Sequence, residues 1–188
     1  MNKMLALLCA GLLAATVPAD AQNDTAMNRT DHKTLVVYFS ATGTTRAAAE
    51  RLAGVMQADL FEIVPQQPYT AADLDWRNKS SRSSVEMNDR TSRPAIARRC
   101  AGMEQYDVVF IGFPIWWDAA PTIVNTFIES HDLAGKRLLP FATSGSSSIR
   151  NSASDLKKSY PALKWEAGRL LNGASQRDLE AWREETGL

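Results

Sequence analysis

The chain has 188 residues, 21 Lys+Arg against 21 Asp+Glu, and 45% apolar residues. One domain of this size buries most of its extended-chain surface and needs no disulfide or metal staple. Zero net charge removes the electrostatic case for nucleic acid, and ordinary apolar content argues against wholesale disorder.

Residues 1–21 have the form of a secretory signal peptide. Met1-Asn2-Lys3 is a basic start, Met4 to Val17 is an uncharged apolar run, and Pro18 ends it before Ala19-Asp20-Ala21. The run is too short to span a bilayer, so the reading is cleavage after Ala21 and a periplasmic or secreted protein without stable membrane insertion. Removal of Cys9 would leave Cys100 as the single thiol, which cannot form an internal disulfide. Residues 22–33 are polar and aperiodic and read as a tether, with one domain over 34–188.

From Thr34 onward strand-like and helix-like runs alternate. Leu35 to Phe39 is a continuous apolar run suited to a strand covered on both faces. Arg46 to Met56 has helical spacing, Leu60 to Val64 is a second strand, and residues 65–93 form a long polar, basic insertion. A helix is expected around Cys100. Val108 to Phe113 is a third strand, Pro121 to Ser130 a helix, Leu138 to Ala142 a fourth strand and Ile149 to Ser159 a helix. A weaker strand lies within Lys164 to Leu171, and the last helix starts at Ser175. This alternation predicts an α/β fold, a doubly wound five-stranded parallel sheet of order 2-1-3-4-5 in three α/β/α layers, with ligands beyond the strand carboxyl ends.

Three segments follow strands one, three and four. Ser40-Ala41-Thr42-Gly43-Thr44-Thr45 offers hydroxyls and a helix N-terminus to a phosphate, without the Lys of a triphosphate-binding loop. Pro114-Ile115-Trp116-Trp117 puts two indoles at a strand end, where they cannot both face inward, so one suits a flat aromatic ligand. Thr143-Ser144-Gly145 begins a run of small residues that lets backbone donors approach a ligand edge. Each alone could be an ordinary turn; the topology sets all three side by side.

With these segments the chain resembles a flavodoxin of the branch carrying S-x-T-G-x-T, P-I-W-W and P-F-x-T-S-G, the last spanning Pro140 to Gly145. The resemblance runs from about Thr34 to the C-terminus. It implies noncovalent FMN and electron transfer, with Ser40, Thr42, Gly43, Thr44 and Thr45 on the phosphate. Pro114, Ile115, Trp116 and Trp117 would border the ring, either indole stacking on it, and Thr143, Ser144 and Gly145 would line its other edge. Asp118 stands where relatives usually have Gly, a departure that could alter the loop's path or add negative charge near the ring. The redox partner is unidentified; Arg77, Lys79, Arg82, Arg90 and Arg93 could meet the phosphates of NAD(P)H or an acidic protein. Carrier and NAD(P)H-dependent reductase of a small acceptor such as a quinone both remain open. The reading from a different class is a non-redox binding protein that kept this fold and lost FMN.

No catalytic triad or metal cluster is legible. His32 falls in the tether, and His131 is expected to cap a helix end through its partial charge. Trp165 and Trp182 are expected to pack in the core.

Overall fold

The computed structural model describes residues 32–188. The expected signal peptide, and the tether up to Asp31, lie outside the described residues. The elements are β1 (Thr34–Tyr38), α1 (Thr44–Met56), β2 (Asp59–Glu62), α2 (Arg82–Asn88), β3 (Val108–Pro114), α3 (Thr122–Glu129), β4 (Arg137–Thr143), α4 (Arg150–Ser159), β5 (Lys164–Trp165), β6 (Arg169–Leu170) and α5 (Gln176–Thr186). The strands pair in parallel in the order β2-β1-β3-β4-β5, with β6 also beside β4. That is the expected 2-1-3-4-5 arrangement.

The apolar runs are continuous because both sheet faces are covered. Leu35, Val37, Val109, Ile111 and Phe113 pack with Ile123, Val124 and Phe127 of α3 and Leu156 of α4. Val36, Tyr38, Phe110, Leu139 and Phe141 pack with α1 and α5 on the opposite face. Each fully buried Val, Leu or Phe stabilises the fold by roughly 1.5–3 kcal/mol relative to exposure. Trp182 lies in this second layer, edge-on to Phe110 at 5.0 Å and 83°. Trp165 is half-buried, its Nε1 donating to the Tyr160 carbonyl at 3.1 Å.

The fifth strand position is broken for a covalent reason. Leu138 pairs with Trp165 and Phe141 with Arg169, so the edge carries one residue more than β4 does. The carbonyls of Leu138 and Ala142 accept from this edge, so Pro140 between them turns its missing N–H toward it. Gly168 fills the break, because a Cβ there would sit 2.9 Å from both the ring and the carbonyl of Pro140.

Two expectations are corrected. The insertion contains α2, with Ser81 as N-cap accepting from the Ser84 N–H and with Ser83, Ser84 and Met87 buried. A buried face made of serines leaves no apolar period for a sequence to display. Cys100 is not helical: it lies in an irregular stretch before a 3-10 turn at Met103–Gln105 that opens on Gly102 at φ +70°. Its backbone N–H donates to His131 Nε2 at 2.8 Å. His131 therefore carries its proton on Nδ1, which donates to the Phe127 carbonyl at 2.8 Å. It caps α3 as expected, but as a neutral ring: burial holds its pKa below the usual histidine value.

Candidate functional site

The loop after β1 is shaped by one glycine and one hydroxyl. Gly43 is the N-cap of α1 at φ +89°, and no side chain caps the helix there. A Cβ on Gly43 would meet nothing within 4 Å, so the glycine answers to backbone conformation and not to crowding. Ser40 Oγ accepts the Gly43 N–H at 3.1 Å, and the Thr42 and Thr44 hydroxyls approach within 3.4 Å of each other. Thr42, Gly43 and Thr44 are exposed, so the positive end of α1 opens to solvent among hydroxyl groups. Arg46, in the first turn, is engaged by Glu62 at 2.5 Å.

The loop after β3 is a strained two-residue turn. Trp116 and Ala119 exchange backbone hydrogen bonds of 3.0 and 2.9 Å across Trp117 and Asp118. Both central residues have positive φ, +45° at Trp117 and +63° at Asp118. Asp tolerates this conformation; a bulky Trp does so at a cost of about 1–2 kcal/mol. The strain separates the two indoles. Trp116 is half-buried and meets Phe39 (5.6 Å, 85°) and Tyr69 (5.5 Å, 80°) edge-on, while Trp117 is 50% exposed. The Asp118 carboxylate accepts from the Asn151 amide of α4, which anchors the turn's tip.

The loop after β4 is pinned. The Asn172 side chain accepts the Ser144 N–H and donates to the Ser144 carbonyl, both at 2.7 Å. Ser144 Oγ in turn accepts the Ser146 and Ser147 N–H groups at 3.2 and 2.8 Å. Behind the loops the Thr45 and Thr143 hydroxyls meet at 2.8 Å in a buried contact that ties α1 to the end of β4.

The three loops converge on a cleft of about 630 Å³, within the range of small-molecule sites. Thr42, Thr45, Pro114, Ile115, Trp116, Trp117, Ser144 and Gly145 line it, joined by Ala41, Asp118, Ser146 and Ser147. Of the remaining expected residues, Ser40, Gly43 and Thr44 shape the adjoining α1 entrance, while Thr143 lies buried behind Thr45. A fourth wall was not legible in the sequence: Leu74, Trp76 and Ser83 reach the cleft from the insertion.

Tyr69 fastens that insertion. Its hydroxyl donates to Glu86 at 2.5 Å, Arg82 lies 4.0 Å from its ring centroid, and Arg82 pairs with Glu86 at 2.6 Å. Burial, then the Glu86 hydrogen bond, pushes the Tyr69 phenol far above its ordinary pKa, so it remains a donor. Arg90 pairs with Asp155 at 3.0 Å and Arg93 with Glu129 at 2.8 Å, holding the segment over α4 and α3. Arg77 lies over the Trp76 ring at 5.0 Å. Among the described residues no group of three or more His, Cys, Asp or Glu could hold a metal ion, and no helix is long and apolar enough to cross a membrane.

Comparison with solved structures gives close matches to two candidate flavoproteins. That from Bacteroides eggerthii is 59% identical with a TM-score of 0.82, covering 84% of this chain and 99% of that one. That from Bacteroides uniformis is 56% identical with a TM-score of 0.79, covering 81% and 98%. A Lactobacillus acidophilus flavoprotein in complex with FMN shares the fold at 21% identity and a TM-score of 0.65, over 76% and 95%. No curated protein matches the chain. The family model described as Flavodoxin matches residues 33–186, nearly all of the described chain. This protein belongs to the flavodoxin family.

Proposed function

We propose that this chain is an FMN-binding redox protein. One observation carries the reading: an uncapped helix N-terminus ringed by hydroxyls and a half-exposed indole both border a single cleft. The donor set fits the cofactor's two ends. Backbone N–H groups of α1 with Thr42 and Thr44 suit a phosphate monoester held without a cation, since Arg46 is already engaged by Glu62. Trp117 suits the face of the ring, and the loop after β4 suits its polar edge. Trp116, wedged between Phe39 and Tyr69, is support for that surface.

FMN supplies reversible electron transfer when bound; the protein orients it, limits water and sets the local charge. Asp118, on the cleft wall, disfavours added negative charge on the ring. The donor and acceptor are either protein partners, for a carrier, or NAD(P)H and a small acceptor such as a quinone, for an enzyme. Residues 34–188 form the working domain, and export by the signal peptide places it in the periplasm or outside the cell.

Titrating apoprotein with FMN tests this reading. Quenched flavin fluorescence and a structured visible band are expected; absence of both would leave a non-redox binding protein on this fold. NADPH oxidation with a quinone by the holoprotein then separates enzyme from carrier.

A further inference from the structure

The insertion brings to the cleft a polar group that the fold leaves unpartnered. Ser83 is 2% exposed, lines the cleft, and its Oγ has no hydrogen-bond partner among the described residues. Its neighbours differ. Ser81 Oγ donates to Ser84 Oγ, and Ser84 Oγ to the Asn78 carbonyl, both at 2.8 Å. Serines deeper in a helix often relieve a buried hydroxyl by bonding back to the carbonyl four residues earlier. Ser83 sits in the first turn of α2, where no helical carbonyl lies behind it, and its backbone N–H is already committed to the Asp73 carbonyl at 3.0 Å. Thr122 and Thr126 also hold buried hydroxyls without a partner among the described residues, but neither lines the cleft. Ser83 does, and buried hydroxyls are nearly always satisfied, so the partner of Ser83 is sought in what the cleft binds.

Its position is held rigidly. Arg82, the preceding residue, is clamped by Glu86 and lies on the Tyr69 ring, which stands edge-on to Trp116. The insertion is thus fastened to the loop after β3, at the ring end of the cleft. Leu74 and Trp76, the latter 66% exposed, continue the same wall to the mouth.

We infer that Ser83 is a ligand-contact residue whose hydroxyl hydrogen-bonds the flavin ring, so that residues 65–93 form part of the cofactor site. The inference rests on the FMN reading above and adds to it a wall supplied by the insertion. A hydroxyl satisfied only by the ligand has a distinctive signature: its removal weakens binding without weakening the apoprotein.

The test is Ser83→Ala, compared with the unaltered chain by FMN fluorescence titration, visible spectra of the bound flavin, and thermal unfolding of both apoproteins. The expected result is an affinity about 3- to 10-fold lower, displaced visible maxima, and an apo Tm unchanged or higher. Equal affinity and an unmoved spectrum would overturn the role of Ser83 while leaving the FMN reading intact. A lower apo Tm would reveal a partner inside the protein and overturn it as well. Failure of the unaltered chain to bind FMN would remove both readings together.

Discussion

Trp116 and Trp117 are adjacent in sequence, yet their truncations should fail in different ways. Trp117→Ala removes a half-exposed ring at the cleft wall. If base-on-aromatic stacking is a fair guide, the lost stack is worth about 1–3 kcal/mol, or roughly a 5- to 150-fold loss of FMN affinity. Trp117→Phe keeps an aromatic face and should hold most of that affinity. Trp116→Ala instead removes two edge-on contacts, to Phe39 and Tyr69. At about 0.5–1.5 kcal/mol each beyond area burial, these make the Trp116 variant less stable than the Trp117 variant by about 1–3 kcal/mol. For a chain this size the gap corresponds to about 2–12 °C in Tm. The φ of +45° at Trp117 adds a third leg. Glycine relieves that conformation, so the Trp117→Gly apoprotein should be more stable than Trp117→Ala by about 1 kcal/mol. FMN titration and differential scanning calorimetry on the four variants read both quantities. Wild-type affinity in Trp117→Ala alongside lost affinity in a stable Trp116→Ala would refute the assignment of the stacking face.

Two further predictions concern the scaffold. His131 is held neutral, its pKa lowered chiefly by burial and further by Arg99, so the unfolded chain binds its proton first as pH falls. Stability from this group should be complete above the unfolded value of about 6.5 and fall as pH drops through the lower folded value. Urea denaturation from pH 7.5 to 5 should show the slope, and His131→Gln should flatten it; an unchanged slope would contradict the neutral-acceptor geometry. Gly112 lies beneath Phe141, and a Cβ there would come within 2.0–2.6 Å of three ring atoms. Phe141 is fully buried and has no room to swing away, so Gly112→Ala should cost at least about 1–3 kcal/mol, partly recovered by Phe141→Leu in the same chain. A wild-type melting curve for the single variant would show that the ring moves freely.

The order of elements and the three loops that line the cleft were legible in the sequence because each has a local cause. Continuous apolar runs mark strands covered on both sides, and Gly43 with its hydroxyl neighbours marks an open helix start. Even the break at the fifth strand has its causes in the sequence, in Pro140 and Gly168. The α2 helix was hidden because Ser83 and Ser84 form most of its buried face, and buried serines look like loop residues until their partners are known. The order of the two indoles was equally hidden: it depends on a positive-φ turn closed by Trp116 and Ala119, and on Tyr69 arriving from the insertion. Local patterning thus determined which strands and loops this chain builds. Only the tertiary structure decided which side chains meet across the cleft, because contacts between segments distant in sequence leave no periodicity in either one.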